Sequence, residues 1–279
     1  KWVTNNSGVS PLDVTEFTPG YVWSGTGWIS VDPSGTTVDE DIIIDGTGAT
    51  LSANTTTNGN FRMTPGSTMD FDGFTLTVAG DATMEADASG YSQIIGDIDG
   101  TSNYQSYLTS ASGRWFNLAF PIDTNMNGVS GIPLQATGSD ATTNIWYYDA
   151  TVDNDANDEG DFIAVPNMMF DTELTGFQVW AGDGTNFGSA PFTLNTEGIL
   201  IDGTQTISVS DFTVDNFNII PNPFPSTLDW DLVFADGDNS ELQATYYIQD
   251  GSNDDGNYAY RAYNASTTAF TNGGSANIP

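Results

Sequence analysis

Asp153-Asn-Asp-Ala-Asn-Asp-Glu-Gly-Asp161 is the stretch of this sequence best equipped to do chemistry, because it concentrates hard oxygen ligands. Carboxylates at Asp153 and Asp155, the amide of Asn157, and further carboxylates at Asp158, Glu159 and Asp161 have the spacing by which a loop wraps oxygens around calcium. The loop is not an EF-hand. That motif needs glycine sixth and glutamate twelfth, where this loop has Asp158 and Ala164. It reads either as an irregular calcium loop, in which a cation relieves the crowded charge, or as a solvated hairpin tip. Asp236-Gly-Asp-Asn-Ser-Glu241 and Asp250-Gly-Ser-Asn-Asp-Asp-Gly256 repeat the theme more weakly. Asp-Gly is also a favoured dipeptide of tight hairpin turns, which explains both without a metal.

The rest of the chemical repertoire is narrow. There is no histidine or cysteine, so the chain has no thiolate nucleophile, no imidazole base and no soft ligand for zinc or copper. Thirty-seven acidic residues against four basic ones give a formal charge of -33, which repels phosphate backbones and acidic headgroups. Nucleic acid and membrane insertion are therefore not expected as partners. Paired carboxylates hydrolyse glycosides, and short-stranded β-solenoids host polysaccharide lyases. Here, however, the acids sit in turn-like contexts, no pair stands apart, and none of Arg62, Arg114 and Arg261 neighbours an acidic cluster. The chain is read as non-catalytic. The arginines are expected in bidentate carboxylate bridges or over aromatic faces.

Aromatic residues are the second candidate. Trp23, Trp28, Trp115, Trp146, Trp180 and Trp230 lie in or beside predicted strands, where they fill a core or stack on sugar. In Trp146-Tyr147-Tyr148 the alternation of a strand forces neighbours onto opposite faces. At least one of the three therefore lies outside the local core.

The elements that must position these residues are strands. Thr, Ser, Asn, Gly and Asp dominate the polar residues, which is the vocabulary of strands and tight turns. From about residue 38 to 98, runs such as Asp41-Ile-Ile-Ile-Asp45, Asn60-Phe-Arg-Met63 and Ala82-Thr-Met-Glu85 alternate with period two between glycine-bearing turns. This predicts a short-strand β-solenoid or a meander over residues 1–102, with helix nearly absent. Two related antiparallel β-sandwich-like units follow, at 103–214 and 215–279. Trp115-Phe-Asn-Leu-Ala-Phe-Pro121 matches Asn216-Phe-Asn-Ile-Ile-Pro-Asn-Pro-Phe-Pro225, and Ile145-Trp-Tyr-Tyr-Asp149 matches Thr245-Tyr-Tyr-Ile-Gln-Asp250 at nearly the same offset. The counterpart of the predicted Leu174–Trp180 strand is due near position 277. The second unit is thus expected to lack its closing strand, supplied either by further chain or by another molecule.

Asn222-Pro-Phe-Pro-Ser-Thr-Leu-Asp-Trp230 resembles a signature of large secreted surface proteins of Bacteroidota, the cargo of the type IX secretion route. Trp23 and Trp28 ahead of Val38-Asp-Glu-Asp-Ile-Ile-Ile44 resemble the opening of the same proteins. Gly113-Arg-Trp-Phe-Asn-Leu-Ala-Phe-Pro121 resembles the stretch that opens their preceding unit. The resemblance implies an extracellular or cell-surface location and a modular β architecture, and it implies no single activity. Taken together, these readings lead us to expect a non-catalytic structural protein that self-assembles into a filament or layer by strand addition, stabilised by calcium. The alternative is a carbohydrate-binding adhesin whose partner is extracellular polysaccharide. A polysaccharide-degrading solenoid enzyme ranks last.

Overall fold

The computed structural model describes residues 21–28, 32–109, 113–149, 152, 161–207, 218–240, 242–250, 259–271 and 277–278. Strands take 45% of the described residues and helical segments 6%, so the expected all-β architecture with almost no helix is what these residues adopt.

Residues 21–99 coil as a β-solenoid, interrupted by one short hairpin that pairs Ala86–Asp87 antiparallel with Gly90–Tyr91. Strands Tyr21–Trp23, Ile42–Ile44, Phe61–Met63, Ala82–Met84 and Ser102–Leu108 recur about every 20 residues and pair in parallel. A second parallel sheet, with strands Thr37–Val38, Thr55–Thr57, Thr68–Val78 and Gln93–Asp99, closes the other side. Parallel stacking brings equivalent residues into columns. Ile42, Phe61, Ala82 and Ser102 form one column; Ile44, Met63, Met84 and Tyr104 form the next, and all eight are buried.

The corners preceding the Ile42–Ile44, Phe61–Met63 and Ala82–Met84 rungs are held by an Asp/Asn ladder. Asp41 Oδ1 accepts from the Asn60 backbone N–H at 2.7 Å, and Asn60 Oδ1 accepts from the Asp81 N–H at 2.9 Å. Each side chain thus satisfies the backbone donor of the rung below it, which makes the buried Asp41 tolerable. Glycine at the same corner is a requirement of space. A Cβ on Gly80 would lie 2.6 Å from the Gly59 carbonyl oxygen, and one on Gly59 would lie 2.6 Å from the Glu40 carbonyl carbon. On the outer surface Arg62 makes the expected bidentate bridge: Nε to Glu85 Oε1 at 2.7 Å and Nη2 to Oε2 at 2.9 Å.

The first sheet continues through residue 102. Ser102–Leu108 pairs on its far side with the antiparallel strand Phe192–Leu200, which in turn pairs with Ile122–Asp123 and Val129–Ser130. A second core, built on Phe116, Met126, Ile145, Phe177, Val179 and Leu194, lies beneath a four-stranded antiparallel sheet. That sheet runs in the order Arg114–Leu118, Phe177–Ala181, Ile145–Asp149, Asp161–Ala164.

The C-terminal part has a three-stranded antiparallel sheet, Thr245–Asp250, Ala259–Asn264 and Ala269–Thr271. The two Tyr-Tyr strands match in that each forms an antiparallel pair with the next strand, Tyr147 opposite Ile163 and Tyr246 opposite Tyr263. Phe217 lies outside the described residues. Asn277–Ile278 pairs antiparallel with Leu228–Asp229, rather than joining the Tyr-Tyr sheet as the expected closing strand would.

Candidate functional site

The outer face of the four-stranded sheet carries the richest cluster of groups able to bind a ligand. Alternation sends Phe116, Ile145, Phe177 and Val179 inward to the core and leaves Trp115, Asn117, Trp146, Gln178 and Trp180 on the opposite face. Register then gathers them. Trp115 lies directly opposite Trp180, and Gln178 lies opposite both Asn117 and Trp146. The indoles converge over the middle strand, with Trp115 centred 4.9 Å from Trp146 and 5.3 Å from Trp180, both edge to face. All three tryptophans are half-buried. The Gln178 amide reaches Asn117 Oδ1 at 3.4 Å, which places two amides beside the rings. Tyr148 and Phe162, centred 5.6 Å apart, extend the aromatic strip. Tyr147 alone of its trio turns inward, against Phe170 at 4.6 Å. The expectation that at least one of the trio lies outside the local core thus holds, with Trp146 and Tyr148 on the outer face.

The remaining tryptophans among the described residues are structural. Trp23 and Trp28 pack on the solenoid core, 5.6 Å apart, with the Trp23 indole N–H donating to the Thr47 carbonyl at 3.1 Å. Arg114 lies 5.3 Å from the centre of the Phe116 ring, the aromatic alternative foreseen for the arginines, though on Phe116 rather than Trp115.

Of the proposed calcium ligands, Asp153, Asp155, Asn157, Asp158 and Glu159 lie outside the described residues. Asp161 opens the Asp161–Ala164 strand, opposite Asp149. Asp236 is the cap of a short 3-10 turn, accepting from the Asp238 N–H at 3.0 Å, so this Asp-Gly is not a hairpin tip. A different acidic group comes together in space: ligand oxygens of Asp123, Asp171 and Glu173 lie within 4.8 Å of one another, all exposed. Asp171 is fixed there by a bridge to Asn125 and by accepting from the Glu173 N–H at 3.0 Å. Exposed carboxylates gather this way on so acidic a surface without any ion. Sequence reading had no means of joining residues this far apart.

The Asn222–Trp230 motif is a brace. Asn222 Oδ1 accepts from the Phe224 N–H at 3.1 Å while its Nδ2 donates to the Ser226 carbonyl at 2.8 Å, clamping the double-proline turn. The Pro225 carbonyl then accepts from Ile94 N–H at 2.9 Å, docking the turn on the solenoid edge.

Beside that contact lies a cleft of about 360 Å³, walled by Phe74, Ile95, Phe224 and Pro225, with Asp97 and Asp202 among its lining. It opens where two strands lose regularity together. The pairing of Gln93–Asp99 with Thr68–Val78 slips between Ile95 and Asp97, and Asp72 and Gly73 both take positive φ. Gly96 is obligatory there, since a Cβ would approach Phe71 Cβ to 2.6 Å. Sequence reading missed the cleft, where Gly73 lies inside the Thr68–Val78 strand and Gly96 inside Gln93–Asp99, positions that mark bulges and close approach.

Burial pushes the Asp97 carboxyl above its ordinary value, with repulsion from Asp202 and Asp99 adding to the shift. A carboxyl raised on folding costs stability when ionised. The cost is absent below the ordinary value of 3.8 and grows in as pH rises through the raised one. Asp97→Asn should therefore raise the melting temperature at neutral pH by about 1–2 °C, allowing for solvent screening. The gain over the parent chain should close as pH falls through the carboxylate range. Thermal melts of both proteins across pH check this, and a gain that persists in acid would contradict it.

No family model matches this sequence, and no curated protein or solved structure matches it either.

Proposed function

We propose that the chain is a non-catalytic extracellular module that binds neutral polysaccharide through the indole-bearing face of the four-stranded sheet. The observation that carries this reading is the convergence of Trp115, Trp146 and Trp180 with the Asn117 and Gln178 amides on one sheet face. Indole faces suit the C–H faces of pyranose rings, and neighbouring amides supply directional bonds to hydroxyls. A net charge of -33 repels uronic acids and sulfated sugars, which points to uncharged glycans. The same charge, the lack of imidazole and thiol, and the resemblance to type IX cargo support a surface location and a binding rather than catalytic role.

The test is affinity electrophoresis through gels containing neutral glucans, mannans or xylans. The parent chain should be retarded by at least one of them. Trp115→Ala, which removes the central ring, should weaken binding by more than about tenfold, as expected for a buried aromatic anchor. Near-ultraviolet circular dichroism confirms folding of the variant. Unretarded migration in every neutral glycan, or unchanged retardation of Trp115→Ala, would defeat the proposal.

Self-assembly is the second reading, favoured by sheet edges. Among the described residues, Gln93–Asp99 and Asp161–Ala164 each have one partner strand, and Ile95 and Ile199 are 60% and 51% exposed. Light scattering that rises with concentration and with screening salt would support it; a monomer throughout would refute it.

A further inference from the structure

We propose that the cleft between the solenoid edge and the Asn222–Trp230 brace receives a lysine or arginine side chain presented by an extended segment of a basic partner protein. The proposal is independent of the aromatic sheet face, with which the cleft shares no residue.

Three features fit this occupant. The walls are apolar and partly aromatic, with Phe74 and Phe224 contributing rings and Ile95 and Pro225 aliphatic surface. Such a slot takes the alkyl stem of a long basic side chain and offers ring faces to its cation. Two carboxylates, Asp97 and Asp202, line the same cleft and repel each other while it is empty of positive charge. An ammonium or guanidinium group relieves that repulsion and accepts charge-assisted bonds. The Gln93–Asp99 strand along the cleft ends its sheet among the described residues, so an extended partner segment meets main-chain groups as well as the slot. The Ile94 N–H already binds one foreign carbonyl, that of Pro225.

Charge decides what carries the side chain. A second copy of this chain brings four basic residues against 37 acidic ones and is repelled. Of those four, Arg62 is already held by Glu85. The field of -33 instead draws in a basic protein.

The experiment follows the backbone amides of residues 93–97 by nuclear magnetic resonance in the isotope-labelled full chain at physiological ionic strength. The probes are a short capped β-favouring peptide with a central lysine, its norleucine counterpart, butylammonium chloride and calcium chloride. The lysine peptide should shift these amides saturably, and the norleucine peptide should not. Asp97→Asn and Asp202→Asn should each weaken the lysine peptide by about fivefold or more, the effect of losing one charge-assisted contact at a half-exposed site. Asp140→Asn, an exposed acid outside the cleft, should leave its affinity unchanged. Melting curves confirm that each variant is folded. Equal binding of the norleucine peptide would overturn the proposal in favour of a purely apolar groove. An equal loss in Asp140→Asn would reduce the effect to net charge. Butylammonium as effective as the peptide would make this a small-amine site, and calcium shifting these amides while the peptide does not would make it a metal site.

Discussion

Phe61→Ala should destabilise the solenoid by about 3–5 kcal/mol, the usual cost of emptying a buried aromatic site. Phe61 is 0% exposed and sits in its column between Ile42 and Ala82. Its ring is part of the solenoid core, and the parallel rungs on either side limit collapse into the vacancy. Gly80→Ala tests the corner rather than the core. The added Cβ meets the Gly59 oxygen and Asn60 Oδ1, each at 2.6 Å, and the first is backbone, so two rungs must part. An overpacking cost of about 1–3 kcal/mol is expected. Gly48→Ala is the control: φ is +75° with nothing within 4 Å, leaving only left-handed strain of about 1–2 kcal/mol. Denaturant titration should rank Phe61→Ala first, with Gly80→Ala disrupting rung pairing around Asn60 and Gly48→Ala leaving it intact. If amide exchange at residues 59–61 were the same in both glycine variants, close approach would not be the reason for glycine at the corner.

Strand positions in the solenoid were legible because alternation of Ile, Phe and Met with Thr and Asp marks half-buried strands directly. Coiling against hairpins was not legible from alternation, since both have period two. The discriminating signal lay at the corners, where Asp41, Asn60 and Asp81 recur at rung spacing, preceded by Gly59 and Gly80 in the last two. A hairpin turn has no use for a carboxyl or amide at that interval, whereas a stacked rung does. Alternation alone put neighbours of the Trp146-Tyr147-Tyr148 trio on opposite faces; that Tyr147 is the inward one needed the packing against Phe170. Their meeting with Trp115 and Trp180 depended on strand order, which places Phe177–Ala181 between two strands nearer the start of the chain. The cleft needed four distant segments, and only the bulge glycines hinted at it. The Asn222–Trp230 motif was visible as a resemblance. Its physical work, clamping a turn and docking it on Ile94, became apparent only with the partners in place.

That work predicts a local rather than global failure when the motif is broken. Trp230 is 5% exposed, donates its indole N–H to the Ala244 carbonyl at 3.0 Å and packs edge-on to Tyr246 at 5.3 Å. Tyr246 continues to Tyr263, whose hydroxyl donates to both Asp231 oxygens at 2.8 and 3.0 Å. Trp230 and the Tyr263–Asp231 bond together therefore join the Trp230–Ala235 helix to the three-stranded sheet. Trp230→Ala should cost about 3–5 kcal/mol locally, and Trp230→Phe about 1–3 kcal/mol, because phenylalanine keeps the packing but strands a carbonyl. The bond to Asp231 holds the Tyr263 hydroxyl above its ordinary value of 10.0. Release of the sheet should return it to that value, so an added tyrosinate absorbance should appear at lower pH in Trp230→Ala than in the parent. Hydrogen exchange should accelerate at residues 245–248 and 261–264 while residues 42–44 and 61–63 stay protected, because the solenoid columns make no use of Trp230. Loss of protection in both regions together would show that the solenoid depends on the brace for its own stability, and the local-failure account would be wrong.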